Sequence, residues 1–482
     1  MTRRISCIAL IALFIAFLSG CSYIVTDRLG LPKELITVAF SVLSPPSDEA
    51  SFQEFEEAGE EPGGMEQDAA DDEQEGIEEN INCDDLEEDQ EMTEGAEEDH
   101  ITQEDVGVAP ENEEFDELDS VEISVIREFE TQLPAGYQEA LEYDKYPIGF
   151  DYVLIQVASA NIREEPSTSA RIVAGAQRYE RLSLRREVRG EYHEQYETDS
   201  WYEVYWKEGD AIQTGYLLAP LAEVRRFQFD KMAEVIERLM TDVEAGKMAY
   251  VHSYKNVKGS PPLWKGKTVD EYGNRRSQSA PGYLEPDTKG EFRYIPDGTL
   301  LKVLKEEKNL VLVWVPSFQG QYWIPRKYIR FYPDMQEITK VIVVDRSQQN
   351  QAAFHIGPGG VRLVSYTLAT TGKKGPYSFE TPLGMYMAIQ KRDRFQYYGD
   401  GTTIIEGYAP YAVRFSGGGY IHGVPVNYQT IDGQRVDPGM KEYLHTIGTD
   451  PRSHMCVRNY TSHAKFLYDW VEIGKSAVIV VE

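Results

Sequence analysis

Apolar positions along this 482-residue chain fall into three textures. An unbroken apolar run from Ile8 to Leu18 follows Arg3 and Arg4. It is short for a bilayer span and has the length of a secretory h-region. From about Pro45 to Ser120 apolar residues are sparse and keep no period of 3.6 or 2. Such a stretch cannot bury enough surface to offset the entropy of ordering, so it is expected to be disordered. Beyond Gly149, short runs rich in Val, Ile, Tyr and Trp alternate with turn residues, which predicts a mainly β structure.

Within that β region the runs group into three. Residues 153–157, 201–206 and 215–217 predict strands of a small domain at about 149–228. Met232, Val235, Ile236, Leu239, Met240 and Val243 recur at helical spacing and predict a packing helix in a linker, 229–245. A second β unit, about 246–333, contains the runs 310–315 and 321–325 and then Tyr328-Ile329. In the last region, 336–482, residues 340–345 and 361–366 predict two strands joined by a polar turn. Ala464, Leu467, Tyr468 and Val471 then predict a helix capped by Thr461 or Ser462 and stopped at Gly474, before a closing strand from Ala477 to Val481.

Charge sharpens the middle texture. Residues 48–119 hold 33 acidic side chains and no Lys or Arg, while the other 48 acidic residues match the chain's 48 basic ones. The formal charge of -33 therefore belongs to one segment. Nothing in the balanced remainder offers the basic surface that phosphate contacts need, so nucleic acid is not an expected partner. Two uses suit the acidic segment equally: a spacer, with a coil dimension of roughly 60 Å and a limiting reach of about 350 Å, or a solubilising tail with no metric role.

The four cysteines, Cys7, Cys21, Cys83 and Cys456, lack both metal-ligand spacing and the pairing of a disulfide framework, and a Cys83–Cys456 bridge stays open. No metal site and no cofactor is expected. The sequence Leu18-Ser19-Gly20-Cys21 resembles a bacterial lipobox. That resemblance implies a signal peptide at 1–20, lipidation of Cys21, and a lipid-anchored tether at 21–127 in an envelope protein facing away from the cytoplasm. The competing reading is an ordinary signal peptide or membrane anchor with an incidental cysteine.

Ala160-Asn161-Ile162-Arg163, the 201–206 run and Gly215-Tyr216-Leu217 resemble parts of a bacterial SH3 domain, and the second unit echoes their order. Exposed aromatics in such domains could bind cell-wall peptides; core packing is the competing role for Trp201, Trp314 and Trp323. The last region carries Asp345 at a strand end, Thr371-Gly372, Thr381-Pro382-Leu383-Gly384, Ile421-His422-Gly423 and Ser453-His454-Met455-Cys456-Val457-Arg458. In that order, these landmarks resemble the L,D-transpeptidase catalytic domain family (YkuD-like). The expected fold is thus an L,D-transpeptidase-type β-sandwich with a short C-terminal helix, plus two small SH3-like β-barrels and a long disordered acidic segment.

The resemblance implies Cys456 as nucleophile and His422 as general base. Ser453, His454 and Met455 are implied as oxyanion or orienting residues, and Gly423 and Arg458 as substrate-binding residues. The implied substrate is a peptidoglycan stem tetrapeptide, cleaved before its terminal D-alanine and transferred to a neighbouring stem's amine. Bottom-up, a thiol gains reactivity near neutral pH from a nearby imidazole, and Cys456 has four of the chain's eight histidines within 422–463. A buried structural cysteine is the alternative, against which its polar neighbours count. His445 lies closer in sequence than His422 but falls in a family segment where histidine is not catalytic. His355 and His463 read as surface or capping residues. Met455 stands where the family usually has glycine, a costly exchange if the site demands positive φ. Residues 424–452 read as a loop or lid over the cleft. Three functions stay open: cross-linking, hydrolysis through the same thioester, and peptidoglycan binding without catalysis.

Overall fold

The computed structural model describes residues 124–209, 211–331, 337–400 and 402–482. The h-region, Cys7, Cys21, Cys83 and the acidic segment lie outside these residues. The described architecture is mainly β, with two α-helices, Phe229–Glu244 and Thr461–Trp470. Among the described residues no helix is long and apolar enough to cross a membrane.

The first two β units share one topology. In the first, the strands run in the order Ile172–Gln177, Ser159–Arg163, Ala211–Leu218, Thr198–Glu208, Arg181–His193, Asp151–Ile155, Ala222–Arg226. In the second, the order Phe292–Pro296, Ser279–Tyr283, Gly320–Pro325, Leu310–Val315, Leu300–Glu306, Lys247–Val251, Ile329–Phe331 repeats it position for position. Each closes through a short 3-10 turn before its last strand. Trp201 is core, packed with Val188 and Leu218.

The continuous apolar run at 341–344, inside the strand Lys340–Asp345, is explained by its position. Val341 and Val343 face one layer, where the buried side chains Phe229, Met232, Ile236 and Leu239 of the first helix cover them. Ile342 and Val344 face the opposite layer, with Val413, Ile421, Val457 and Leu467. A strand buried on both faces reads as unbroken hydrophobicity. Its six-stranded sheet has the order Tyr137–Glu139, Gly360–Leu368, Asn350–Gly357, Lys340–Asp345, Ser476–Val481, Gly384–Met387. The facing sheet has the order Gln390–Tyr398, Ile405–Arg414, Tyr420–His422, Val457–Arg458.

Three expectations change. The polar turn between 345 and 361 contains a further strand, Asn350–Gly357, paired on both sides. It escaped the apolar pattern because Asn350 and Gln351 are polar yet buried, with partners in Arg226 O, Tyr152 and Asn459. The tether's last residues are structured: Val125–Glu128 pairs with the long strand of the first unit, its exposed side chains leaving only the backbone to show it. Shortly after, Tyr137–Glu139 joins the edge of the six-stranded sheet. His463, read as a surface or capping residue, is buried because it lies on the inner face of its helix.

Candidate active site

Two short parallel strands bring the candidate residues together. Ile421 pairs with Val457 and His422 with Arg458, so the histidine strand lies beside the segment that follows Cys456. The Asn459 amide also donates to the His422 carbonyl at 2.8 Å. Cys456 and His422 are both fully buried.

The loop ahead of Cys456 is clamped by the Thr-Gly turn. Arg452 and Ser453 amides donate to Thr371 O, the Lys373 amide donates to Ser453 O, and Thr370 exchanges both backbone hydrogen bonds with Arg458. Gly372 is obligatory in this clamp: a Cβ there would lie 2.3 Å from Phe379 O and 2.8 Å from Met455 Cα, both backbone-positioned atoms that cannot swing away. Thr381 completes it, accepting from the Gly372 amide at 2.8 Å and donating from Oγ1 to Met455 O at 2.9 Å. The Ser453 hydroxyl donates to Cys456 O, and the His454 carbonyl accepts from the Phe379 amide. His454 Nε2 lies 3.4 Å from Asp400 Oδ1. Met455 is half-buried, and it is absent from the residues with positive φ. The penalty foreseen for methionine at this position therefore does not arise.

The tautomer of His422 follows from one contact. Its Nδ1 is 2.6 Å from Gly423 O, and a carbonyl oxygen only accepts, so Nδ1 carries the hydrogen. In the neutral ring Nε2 then holds the lone pair. That atom is buried with no hydrogen-bond partner among the described residues. Gly423 is held by its own amide to Pro410 O, and a Cβ there would meet Thr461 Oγ1 at 2.8 Å. The Cys456 thiol donates to Gly418 O at 3.6 Å and packs in a small cluster with Ala412, Tyr420 and Phe395. Gly418 carried no signal in the sequence. Arg458 is buried, and its Nε and Nη2 lack partners among the described residues.

His445 sits elsewhere. It is exposed, 6.4 Å from the Tyr179 ring of the first β unit, and its carbonyl accepts from Arg181. Arg225 likewise grips Gly448 O and Thr449 O, so the first unit holds the back of the 424–452 segment. A hairpin, Gln429–Ile431 with Gln434–Val436, forms the exposed tip of that segment.

Beneath the site lies a buried polar chain. Gln351 Nε2 donates to Asn459 Oδ1 at 2.9 Å, and His463 reaches Asn459 at 3.3 Å and Ser365 at 3.2 Å. Burial pushes the His463 pKa from 6.5 down to about 3. The unfolded chain therefore takes up a proton between those values that the native ring refuses. Stability is undiminished by this residue above pH 6.5 and falls as pH drops toward 3, by up to about 1.4 kcal/mol per pH unit. Urea midpoints at pH 7, 5.5 and 4 should fall less steeply in His463→Gln than in the parent; equal slopes would contradict the assignment.

A cleft of about 470 Å³ opens next to this loop, lined by Met455, Gly417 and Gly418 on one side and by residues of the second β unit on the other. Cys456 follows Met455 in the chain and its thiol donates to Gly418 O, so it lies behind these two lining residues.

No curated protein matches the chain significantly. Among solved structures, a Mycobacterium smegmatis L,D-transpeptidase is 19% identical, over 38% of this chain and 82% of that one, with a TM-score of 0.24. An Enterococcus faecium L,D-transpeptidase is 15% identical, over 57% and 86%, with a TM-score of 0.24. A fused Zn-dependent amidase/peptidase/peptidoglycan-binding domain-containing protein from Clostridium acetobutylicum is 17% identical over 30% of this chain, with a TM-score of 0.20, and the match spans about half (52%) of that protein. Similarities this distant say nothing of activity. In sequence, residues 339–480, which hold every element of the clamp and both strands of the site, match the L,D-transpeptidase catalytic domain, YkuD.

Proposed function

We propose that the protein is an envelope-anchored L,D-transpeptidase that forms peptidoglycan cross-links through a thioester on Cys456. The observation that carries the reading is the His422 ring, fixed by Gly423 O, with an Nε2 that has no partner among the described residues, on the strand beside the Cys456 loop. Nε2 takes the thiol proton. The thiolate attacks the carbonyl that precedes the terminal D-alanine of a stem tetrapeptide, and the carbon–nitrogen bond breaks as the imidazolium returns the proton to the leaving amine. A second stem's side-chain amine then attacks the thioester and releases the thiol. Backbone amides at Met455 and Cys456 serve the tetrahedral oxyanion, with Ser453 and His454 orienting the loop.

Because Cys456 has no exposed surface, a substrate carbonyl reaches it only when its cover yields. The Gly417-Gly418-Gly419 turn, which has no side chains to repack, is the natural part to move. Cys21 anchors the protein through lipid, and Cys21→Ser should move it from the membrane to the soluble fraction on cell fractionation; continued membrane retention would count against the anchor.

Hydrolysis uses the same thioester with water as acceptor. Mass spectrometry of products from a tetrapeptide with an amine acceptor separates the readings. A new cross-linked dimer supports transfer, loss of D-alanine alone supports hydrolysis, and no turnover leaves only a binding protein.

A further inference from the structure

The cleft beside Cys456 is not a property of the 339–480 segment alone. Its second wall comes from Tyr272, Arg275, Arg293 and Phe318 of the second β unit, facing Lys374, Phe379 and Met455. This wall is locked in place. Asp297 and Arg414 form a buried ion pair at 2.6 Å across the two bodies. A Cβ on Gly298 would lie 2.0 Å from Phe415 O, so the backbones touch, and Ser317 Oγ accepts from the Met385 amide at 2.7 Å.

Arg293 is the distinctive group of that wall. Its guanidinium lies 3.8 Å from the Tyr272 ring centre and 3.6 Å from that of Phe318. Stacked on two rings, it is oriented without being neutralised, and its in-plane N–H donors stay available. No carboxylate pairs with it among the described residues, and its Nε is buried without a hydrogen-bond partner. Its one polar contact among the described residues is a weak 3.4 Å approach to Tyr322 Oη. The cleft's acid, Glu380, is taken by Arg346 at 3.4 Å. Arg275 lies over the Phe379 ring at 3.6 Å, and the exposed Lys374 adds positive charge to a lining whose one acid is Glu380. Tyr272 and Arg293 also border an adjoining hollow of about 460 Å³ on the second unit, so the guanidinium stands where the two hollows meet.

We propose that the second β unit is a working part of the substrate cleft, with Arg293 as a specificity-determining residue that binds a free carboxylate of an acidic peptide leading to Cys456. An oriented guanidinium is the group suited to a planar carboxylate, which it binds with two parallel N–H donors. This rests on the acyl-transfer reading for which peptide is bound, but not for the claim that the wall binds an anion.

The test uses the full chain carrying Cys456→Ala, so that nothing turns over. Binding is measured by calorimetry for the stem tetrapeptide and for the same peptide with its carboxylates converted to carboxamides. Amidation should weaken binding about 10-fold, and Arg293→Gln should remove most of that preference, with Arg293→Lys keeping part of it. Melting temperatures close to the parent's show that the variants fold. An undiminished preference for the carboxylate form in Arg293→Gln, or no binding of either peptide, overturns the proposal. Thioester formation by the parent, measured separately, tells these failures from failure of the transpeptidase reading: a thioester indifferent to Arg293 sinks only the wall, and peptide binding without any thioester sinks only the chemistry.

Discussion

Cys456→Ala should abolish thioester formation and reduce transfer to the uncatalysed background, and His422→Ala should lower kcat/KM by about 10²–10⁴-fold, as expected for loss of a general base. His445→Ala should stay close to the parent. The contrast follows from place: His422 presents a buried Nε2 without a partner among the described residues beside the thiol loop, whereas His445 is exposed and lies near Tyr179 of another unit. Single-turnover acylation rates across the three variants check it. A reversal, with His445 essential and His422 dispensable, would assign the base to an exposed ring near Tyr179 instead.

Asp297→Ala should destabilise the fold by about 3–5 kcal/mol, the cost of leaving Arg414 as an unpaired buried cation. Both partners are out of water, and burial raises the Asp297 pKa in spite of the neighbouring guanidinium. The Ser253 amide donates to the same carboxylate at 2.6 Å, and Arg414 stacks on Tyr254 at 3.8 Å, so the loss spreads through the junction of the second unit. Arg414 also pairs with Tyr420, two residues before His422. Damage at the junction therefore travels along the strand that presents the base. The double variant Asp297→Leu/Arg414→Met should regain much of the stability, since an apolar pair of similar volume carries no desolvation cost. Denaturant midpoints give both numbers; an Asp297→Ala loss below about 1 kcal/mol would mean that water already reaches the pair.

Much of this site was legible because its residues sit in short, ordered motifs, and the Thr-Gly turn, Thr381, His422 and the 453–458 loop are the parts that touch one another. The run at 340–345 and the spacing of Met232, Ile236, Leu239 and Val243 likewise expose their elements, since each apolar position has a layer to face. What was hidden is polar and buried, or distant. Asn350 and Gln351 break a strand's alternation, yet their side-chain NH2 groups find acceptors inside the protein. His463 looks like a helix-surface residue until Asn459 and Ser365 enclose it. Asp297 and Arg414 are 117 positions apart, and no local pattern announces that they meet. The second wall of the cleft depends on that meeting, so its guanidinium was invisible too. Met455 would be costly only with a left-handed backbone, a condition the sequence could not decide and this residue does not meet.

The most direct measurement is the intact mass of the full chain after brief exposure to the stem tetrapeptide, followed by peptide mapping. An adduct equal to the tetrapeptide less its terminal D-alanine is expected, on Cys456 alone and absent from Cys456→Ala. An adduct on any other residue, or turnover of the peptide by Cys456→Ala, would contradict it.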